Sequence, residues 1–296
     1  MKLATYNIHF GVGRDGRCDL VRALDAVREV DIIGLQEVDS YWDRSGNVDQ
    51  VELIRELMPE HDLAYGPGVE VVKRDAVTGA VVRGRRRRSG NIILSRYPIL
   101  TVRNFPLPKY GASDPKLDIQ KALIEVSLDT PLGPLRVYNT HLCHLSEPQR
   151  KLQLEFMLDI HHRAQREGTP LSGTHPKDAS FASEPALAPV PENAVLLGDL
   201  NLLPSGEAYS AIAGATGNRW TRVPRLGGFV DAWVAAGHDE QAGIGRGEVE
   251  GATSGDRSRR IDYCFISESL AERVAAAEVR YDAEGSDHYP VIVTME

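Results

Sequence analysis

Cysteine is scarce in this 296-residue chain: Cys18, Cys143 and Cys264 are an odd number with no close spacing. That argues against a disulfide framework or a thiolate zinc site, and suits reduced thiols in a cytoplasmic protein. Long apolar runs are missing as well. No stretch approaches the ~18 residues of a spanning helix, and no basic-then-apolar leader precedes Met1 to Phe10, which reads as a strand. The expectation is a soluble, cytoplasmic protein with no transmembrane segment. Positive charge is in deficit, 34 Lys and Arg against 42 Asp and Glu, which gives a net −8. There is thus no global field to draw in a polyanion, although a local groove or a metal can still bind one. No internal repeat recurs at a fixed period.

What the chain does have is a hydrophobic content of 42%, ample for a large core, and polar residues that recur where apolar runs end. Gly198-Asp199-Leu200-Asn201 follows Ala194 to Leu197, and Ser286-Asp287-His288 precedes Pro290 to Thr294. Thr5-Tyr6-Asn7 follows Lys2 to Ala4, Leu35-Gln36-Glu37 closes Asp31 to Gly34, and Thr140-His141-Leu142 ends Leu135 to Asn139. Arg260-Ile261-Asp262-Tyr263 lies in a further β-like run continuing through Ile266. A strand would deliver each of these to a sheet rim. A single Asp or Asn after a strand is ordinarily a turn residue. Recurrence of one chemistry at several strand ends decides against that reading. A phosphoester is anionic, so attack on it needs a divalent cation or fixed donors to offset charge, and groups to handle protons. Carboxylate, amide and imidazole supply those functions.

In this order, from Asn7 to His288, the motifs resemble the endonuclease/exonuclease/phosphatase superfamily, which includes deoxyribonuclease I, apurinic endonucleases, neutral sphingomyelinases and inositol polyphosphate 5-phosphatases. The resemblance implies an α/β fold, a two-sheet β-sandwich flanked by helices on both outer faces. It implies one domain over residues 1–296, since Asn7 and Glu37 must meet Asp199 and His288. It also implies a phosphoesterase that uses Mg2+ or Mn2+. Glu37 is the best metal ligand, because a hard cation prefers carboxylate oxygen, with Asn7 and Asp287 completing its surroundings. Asp199 would orient or deprotonate water, and the Asn201 amide would donate to a nonbridging oxygen. His288 would contact phosphate with its ring fixed by Asp262. Whether Asp199 or His288 is the base stays open. His141 matches a histidine that apurinic endonucleases lack and that deoxyribonuclease I, sphingomyelinase and phosphatase members carry, so it argues against abasic-site repair and implies a group that protonates the leaving oxygen or binds phosphate. His144 and His9 are weaker candidates.

Arg83 and Arg85 to Arg88 form a charge run read as a loop. Such a run is ordinarily solvated, yet guanidinium groups fit phosphate bidentately, so Arg85, Arg86, Arg87, Arg88 and Asn91 are candidate phosphate-binding residues. Asn91 with Ser95-Arg96, Glu37-Val38-Asp39 and Val48-Asp49-Gln50 resemble small bacterial metal-dependent hydrolases of the superfamily. The expected substrate is a lipid headgroup or other small phosphoester. DNA or RNA is the alternative, not favoured because the chain is acidic and no aromatic run neighbours the arginines. Peripheral membrane contact fits the first reading; nothing points to a protein partner. A non-catalytic protein that kept the fold is the remote alternative.

Along the chain, Asp19 caps a predicted helix through Val27, a second helix covers Gln50 to Met58 before Pro59, and a β-rich meander from Leu63 to Leu128 is expected to build much of one sheet. Ser146 and Gln149 mark the start of a helix with a Leu152, Phe156, Ile160, Ala164 stripe, ending at Gly168. Residues 169–191, rich in Pro, Ser, Ala and Gly, read as an exposed, flexible insertion.

Overall fold

The computed structural model describes residues 1–111, 118–171, 176–177, 189–217, 222–246 and 259–296. The chain opens with β1 (Lys2–Asn7), α1 (Leu20–Asp25), β2 (Ile32–Ser40), α2 (Gln50–Leu57), β3 (Asp62–Arg74) and β4 (Val81–Ser95). It continues with β5 (Ile99–Pro106), β6 (Ala122–Thr130), β7 (Gly133–His141), α3 (Glu147–Glu167), β8 (Ala194–Asp199), α4 (Glu207–Ala213), β9 (Ala215–Thr216) and β10 (Arg222–Val223). It closes with β11 (Phe229–Asp231), α5 (Ala232–Ala235), β12 (Asp262–Ser267), β13 (Val274–Val279) and β14 (Val291–Met295).

Two mixed six-stranded sheets result, ordered β13-β14-β1-β2-β4-β3 and β11-β12-β8-β7-β6-β5. Alternating side chains along each strand point to opposite faces. Leu3, Ile32 and Ile93 of the first sheet therefore meet Val126, Val137 and Val195 of the second in a common core, while Tyr6, Ile33 and Leu35 face Leu24 of α1 and Ile54 of α2. On the far side Tyr138, Leu196 and Phe265 pack against Leu154 and Met157 of α3 and Ile212 of α4. Each fully buried aliphatic side chain contributes about 1.5–3 kcal/mol. The sandwich with helices outside is the expected α/β architecture.

Local chemistry starts the helices as anticipated. Asp19 accepts from Arg22 N (3.1 Å), Asp49 from Val51 N (3.2 Å) and Ser146 from Gln149 N (3.4 Å). The α3 face is more polar than the stripe suggests. Leu152 and Phe156 are only partly covered, while Gln149 and Gln153 are buried. These glutamines accept from the backbone N–H groups of Tyr110 and Cys143 (3.0 and 2.9 Å), satisfying donors that no strand takes up.

The meander is also divided differently. β3 and β4 pair as a hairpin at one edge of the first sheet, whereas β5 and β6 belong to the second. Alternation reports which face a residue takes, not which sheet its strand joins. The crossing follows Ser95, whose hydroxyl donates to Tyr97 O (2.8 Å) and accepts from Tyr97 N (3.0 Å). The insertion expected at 169–191 lies mostly outside the described residues.

One side chain fastens the two sheets beneath the site. Asn139 of β7 is fully buried; its amide donates to Leu35 O (2.9 Å) and Ile92 O (2.7 Å), and its oxygen accepts from Gln36 Nε2 (2.7 Å). Gly34 makes room for it, since a Cβ there would come within 2.9 Å of Asn139 Cγ.

Candidate active site

The Asn139 clasp sits where β2 departs from regular pairing with β4, between Leu35 and Val38. Across this bulge Gln36 turns inward, donating to Thr5 Oγ1 (3.1 Å) as well as to Asn139. Glu37 takes a left-handed backbone (φ 60°) and its carboxylate is carried to a cavity. Positive φ in a residue with a Cβ is uncommon, and bulges often re-aim a side chain in this way.

Asn7 ends β1, His141 ends β7 and Asp199 ends β8. β7 and β8 run parallel with His141 beside Asp199, and β12 places Asp262 opposite Asp199. Gly198 permits the close approach of β7 and β8: a Cβ there would lie 2.3 Å from Thr140 O. The Ser286-Asp287-His288 turn is tied down by Ser286 Oγ, which donates to Asn7 O (2.7 Å) and accepts from His288 N (3.1 Å). Five separate stretches of chain thus open onto one cavity of about 200 Å³, walled by Asn7, Glu37, His141, Asp199, Asn201, Asp287 and His288.

Three carboxylates, Glu37, Asp199 and Asp287, stand in that wall among amides and imidazoles. Asn7 Nδ2 donates to Asp199 Oδ2 (3.0 Å) and Glu37 Oε1 (3.4 Å). His141 spans the same two groups, Nδ1 to Glu37 at 3.6 Å and Nε2 to Asp199 at 3.5 Å;. Burial, then the neighbouring Asp262, pushes Asp199 up to about 7. His288 is buried, which opposes its charge, but Asp262 at 2.9 Å from Nδ1 and the Asp199 and Asp287 carboxylates outweigh this and raise it to about 10. Burial, reinforced by Lys121 and His288, holds His141 well below the ordinary histidine value and hence neutral at pH 7. Asp262 stands behind His288 rather than in the cavity wall. Asn201, at φ 52°, donates from Nδ2 to Leu142 O (3.1 Å), and its N–H donates to Asp199 Oδ1 (3.2 Å).

The donor set fits a hard divalent cation. Glu37 and Asp199 are bridged only by Asn7 and a neutral imidazole, and the buried Asp287 Oδ1 has no hydrogen-bond donor among the described residues. Carboxylate oxygens with a free lone pair facing one cavity are what magnesium or manganese takes. Asp199, Asp262 and His288 also place one potential ligand atom each within 4.8 Å of one another.

Four further residues belong to the site's surroundings. His9 and His144, read from sequence as weak candidates, both line the cavity. Arg246 lines it too, paired with Asp287 at 3.2 Å. Lys121, with Asn91, lines a smaller recess sharing Glu37 and His141 with the main cavity. Nothing around Arg246 or Lys121 in the sequence marks either; only the folded chain brings them here.

The arginine run is not a loop. Arg83 to Arg88 lie within β4, and Arg86, Arg87 and Arg88 pair with Val72, Val71 and Glu70 of β3. None of Arg85, Arg86, Arg87 and Arg88 lines the cavity. Arg86 pairs with Glu70, and Arg88 with Asp49 at 2.8 Å. Arg85 lies over Tyr41 (5.1 Å) and Arg87 over Trp42 (4.6 Å). The arginines therefore do have aromatic neighbours, supplied by the segment after β2, which corrects the impression from sequence. Asn91 donates from Nδ2 to Ala122 O (2.8 Å).

Among the described residues no helix is long and apolar enough to cross a membrane. The family described as Endonuclease/Exonuclease/phosphatase family matches residues 4–288. No curated protein matches the chain. Among solved structures, an endonuclease/exonuclease/phosphatase from Beutenbergia cavernae is similar, with TM-score 0.65 and 23% identity over 99% of this chain and 70% of that one. A mannosyl-6-phosphatase from Bacteroides thetaiotaomicron has TM-score 0.59 and 16% identity over 100% and 99%. Truncated TDP2 from Caenorhabditis elegans has TM-score 0.57 and 20% identity over 99% and 96%. At these identities the likeness is one of fold.

Proposed function

We propose, on the premise that this chain belongs to the endonuclease/exonuclease/phosphatase family, that it is a divalent-metal-dependent phosphoesterase acting on a lipid headgroup or another small phosphoester. The observation that carries this reading is the meeting of Glu37, Asn7, Asp199, Asp287, His141 and His288 around one cavity. Glu37, Asn7 and Asp287 would hold Mg2+ or Mn2+, which when bound would offset negative charge at phosphorus.

The remaining chemistry belongs to the chain. Asp199 accepts a proton from the attacking water and orients it, held in place by the Asn7 amide. Asn201 presents its amide to a nonbridging oxygen, where a carboxylate could not donate. His288, backed by Asp262, offers Nε2 as a charged donor to the same phosphoryl group. His141, neutral and 3.6 and 3.5 Å from Glu37 and Asp199, has a single N–H to offer the phosphoryl group rather than a labile proton. Residues 1–296 would act as one domain, in the cytoplasm.

Nucleic acid is a second reading. It is favoured by Tyr41 and Trp42 beside Arg85 and Arg87, since arginine and aromatic planes together accept bases and phosphates. The two readings separate in one experiment: plasmid nicking measured beside phosphoinositide, sphingomyelin and bis-p-nitrophenyl phosphate turnover, with Mg2+ and with EDTA. Metal-dependent turnover of a small ester supports the first. Strong nicking with no small-ester turnover overturns it.

A further inference from the structure

Lys121 precedes β6 and is 7% exposed. Its ammonium has no hydrogen bond or ion pair among the described residues, yet it is close enough to Glu37, Asp199 and His141 to act on all three electrostatically. An ammonium at a cavity wall with no protein partner among the described residues is available to an anionic ligand. The recess beside it is lined by Ser89, Gly90, Asn91, Gln120 and Lys121, and shares Glu37 and His141 with the main cavity. Its volume is about 20 Å³. That is room for about one water-sized group and no more.

A phosphomonoester has three terminal oxygens and is largely dianionic near neutral pH; a diester has two and carries a single charge. An oxygen fits the recess, and after metal and donors have taken two terminal oxygens only the monoester has a third, charged one to place there. Resting on the phosphoesterase reading above, we propose that the Lys121 recess is an oxyanion subsite that receives the third terminal oxygen of a phosphomonoester, so that this site selects dianionic monoesters over diesters. Burial lowers the pKa of the amine, which the Glu37 and Asp199 carboxylates oppose; protonated, it supplies a positive charge beside the one a bound cation would bring, and the additional negative charge of the monoester is what it rewards.

The test uses the purified full chain with Mn2+, assayed on p-nitrophenyl phosphate and bis-p-nitrophenyl phosphate. Lys121→Met, which keeps the length of the side chain and removes its charge, is expected to lower kcat/KM on the monoester on the order of 100-fold and on the diester less than about 5-fold. Lys121→Arg should recover part of the monoester loss. An equal loss on both esters, or none on the monoester, overturns the subsite. Binding to the wild type gives a check that needs no variant: inorganic phosphate should raise the melting temperature, and dimethyl phosphate at the same concentration should not. Equal protection by the two contradicts the inference. If the wild type turns over neither ester but nicks DNA, the small-ester reading falls first and the subsite with it.

Discussion

Asn139→Leu removes the clasp between the sheets while keeping the shape of the side chain. The variant loses donors to Leu35 O and Ile92 O and the acceptor for Gln36 Nε2. Gln36 keeps Thr5 Oγ1 and Gly34 O as partners, at 3.1 and 3.0 Å. The two carbonyls lose the donor that reaches them from the other sheet. An unsatisfied buried polar group costs ~1–3 kcal/mol, so two of them give about 2–6 kcal/mol. For a native state ~5–15 kcal/mol stable, that is a large fraction. Urea unfolding followed by far-UV circular dichroism reads it as a lower midpoint at an unchanged slope. Because Leu35 O and Gln36 adjoin the bulge that carries Glu37, metal-dependent activity should fall further than the folded fraction. A loss under about 1 kcal/mol, with activity following the folded fraction alone, would refute the clasp.

Asp199→Asn should reduce kcat/KM by at least about 1,000-fold while melting at or above the wild-type temperature in EDTA, because a buried carboxylate raised to about 7 is itself a liability above that pH. Glu37→Gln should require far more Mn2+ for half-maximal activity, measured by metal titration, with little change in unfolding midpoint. A pH test lies away from the site, at His161 of α3. Its Nδ1 accepts from Arg136 (3.1 Å), leaving Nε2–H to donate to Gly227 O (3.0 Å), and burial, then the Arg136 charge, lowers it to about 4, His162 adding to the same effect. The unfolded chain takes up the proton near 6.5, so this contribution is full above that pH and is lost as pH falls toward 4. Over a gap of about 2.5 pH units it amounts to about 3 kcal/mol. His161→Gln, which can make both bonds without titrating, should flatten that part of the acid limb in urea melts at pH 7.5 and 4.5; an unchanged acid limb would count against it.

Much of the site was readable because its residues close apolar runs: Asn7, His141 and Asp199 stand at the ends of β1, β7 and β8. Glu37 was readable by its place after Ile32 to Leu35, but the bulge that aims it was not, since it depends on Asn139 in a strand about a hundred residues away. The arginine run was misread as a loop because a run of charge is ordinarily solvated, whereas here Arg86 to Arg88 pair with β3. Lys121 carries no local signature at all, as its meaning comes from Glu37 in the other sheet and His141 at the end of the neighbouring strand. The covered face of α3 was drawn too apolar because buried glutamines that accept from loop amides look, in sequence, like solvated positions.

Anomalous diffraction from crystals soaked in Mn2+ locates the ion. A peak is expected in the cavity bounded by Asn7, Glu37, Asp199 and Asp287, with the Glu37 carboxylate bound to the ion. Manganese found only elsewhere on the protein, with this cavity empty of it, would contradict this reading of the site.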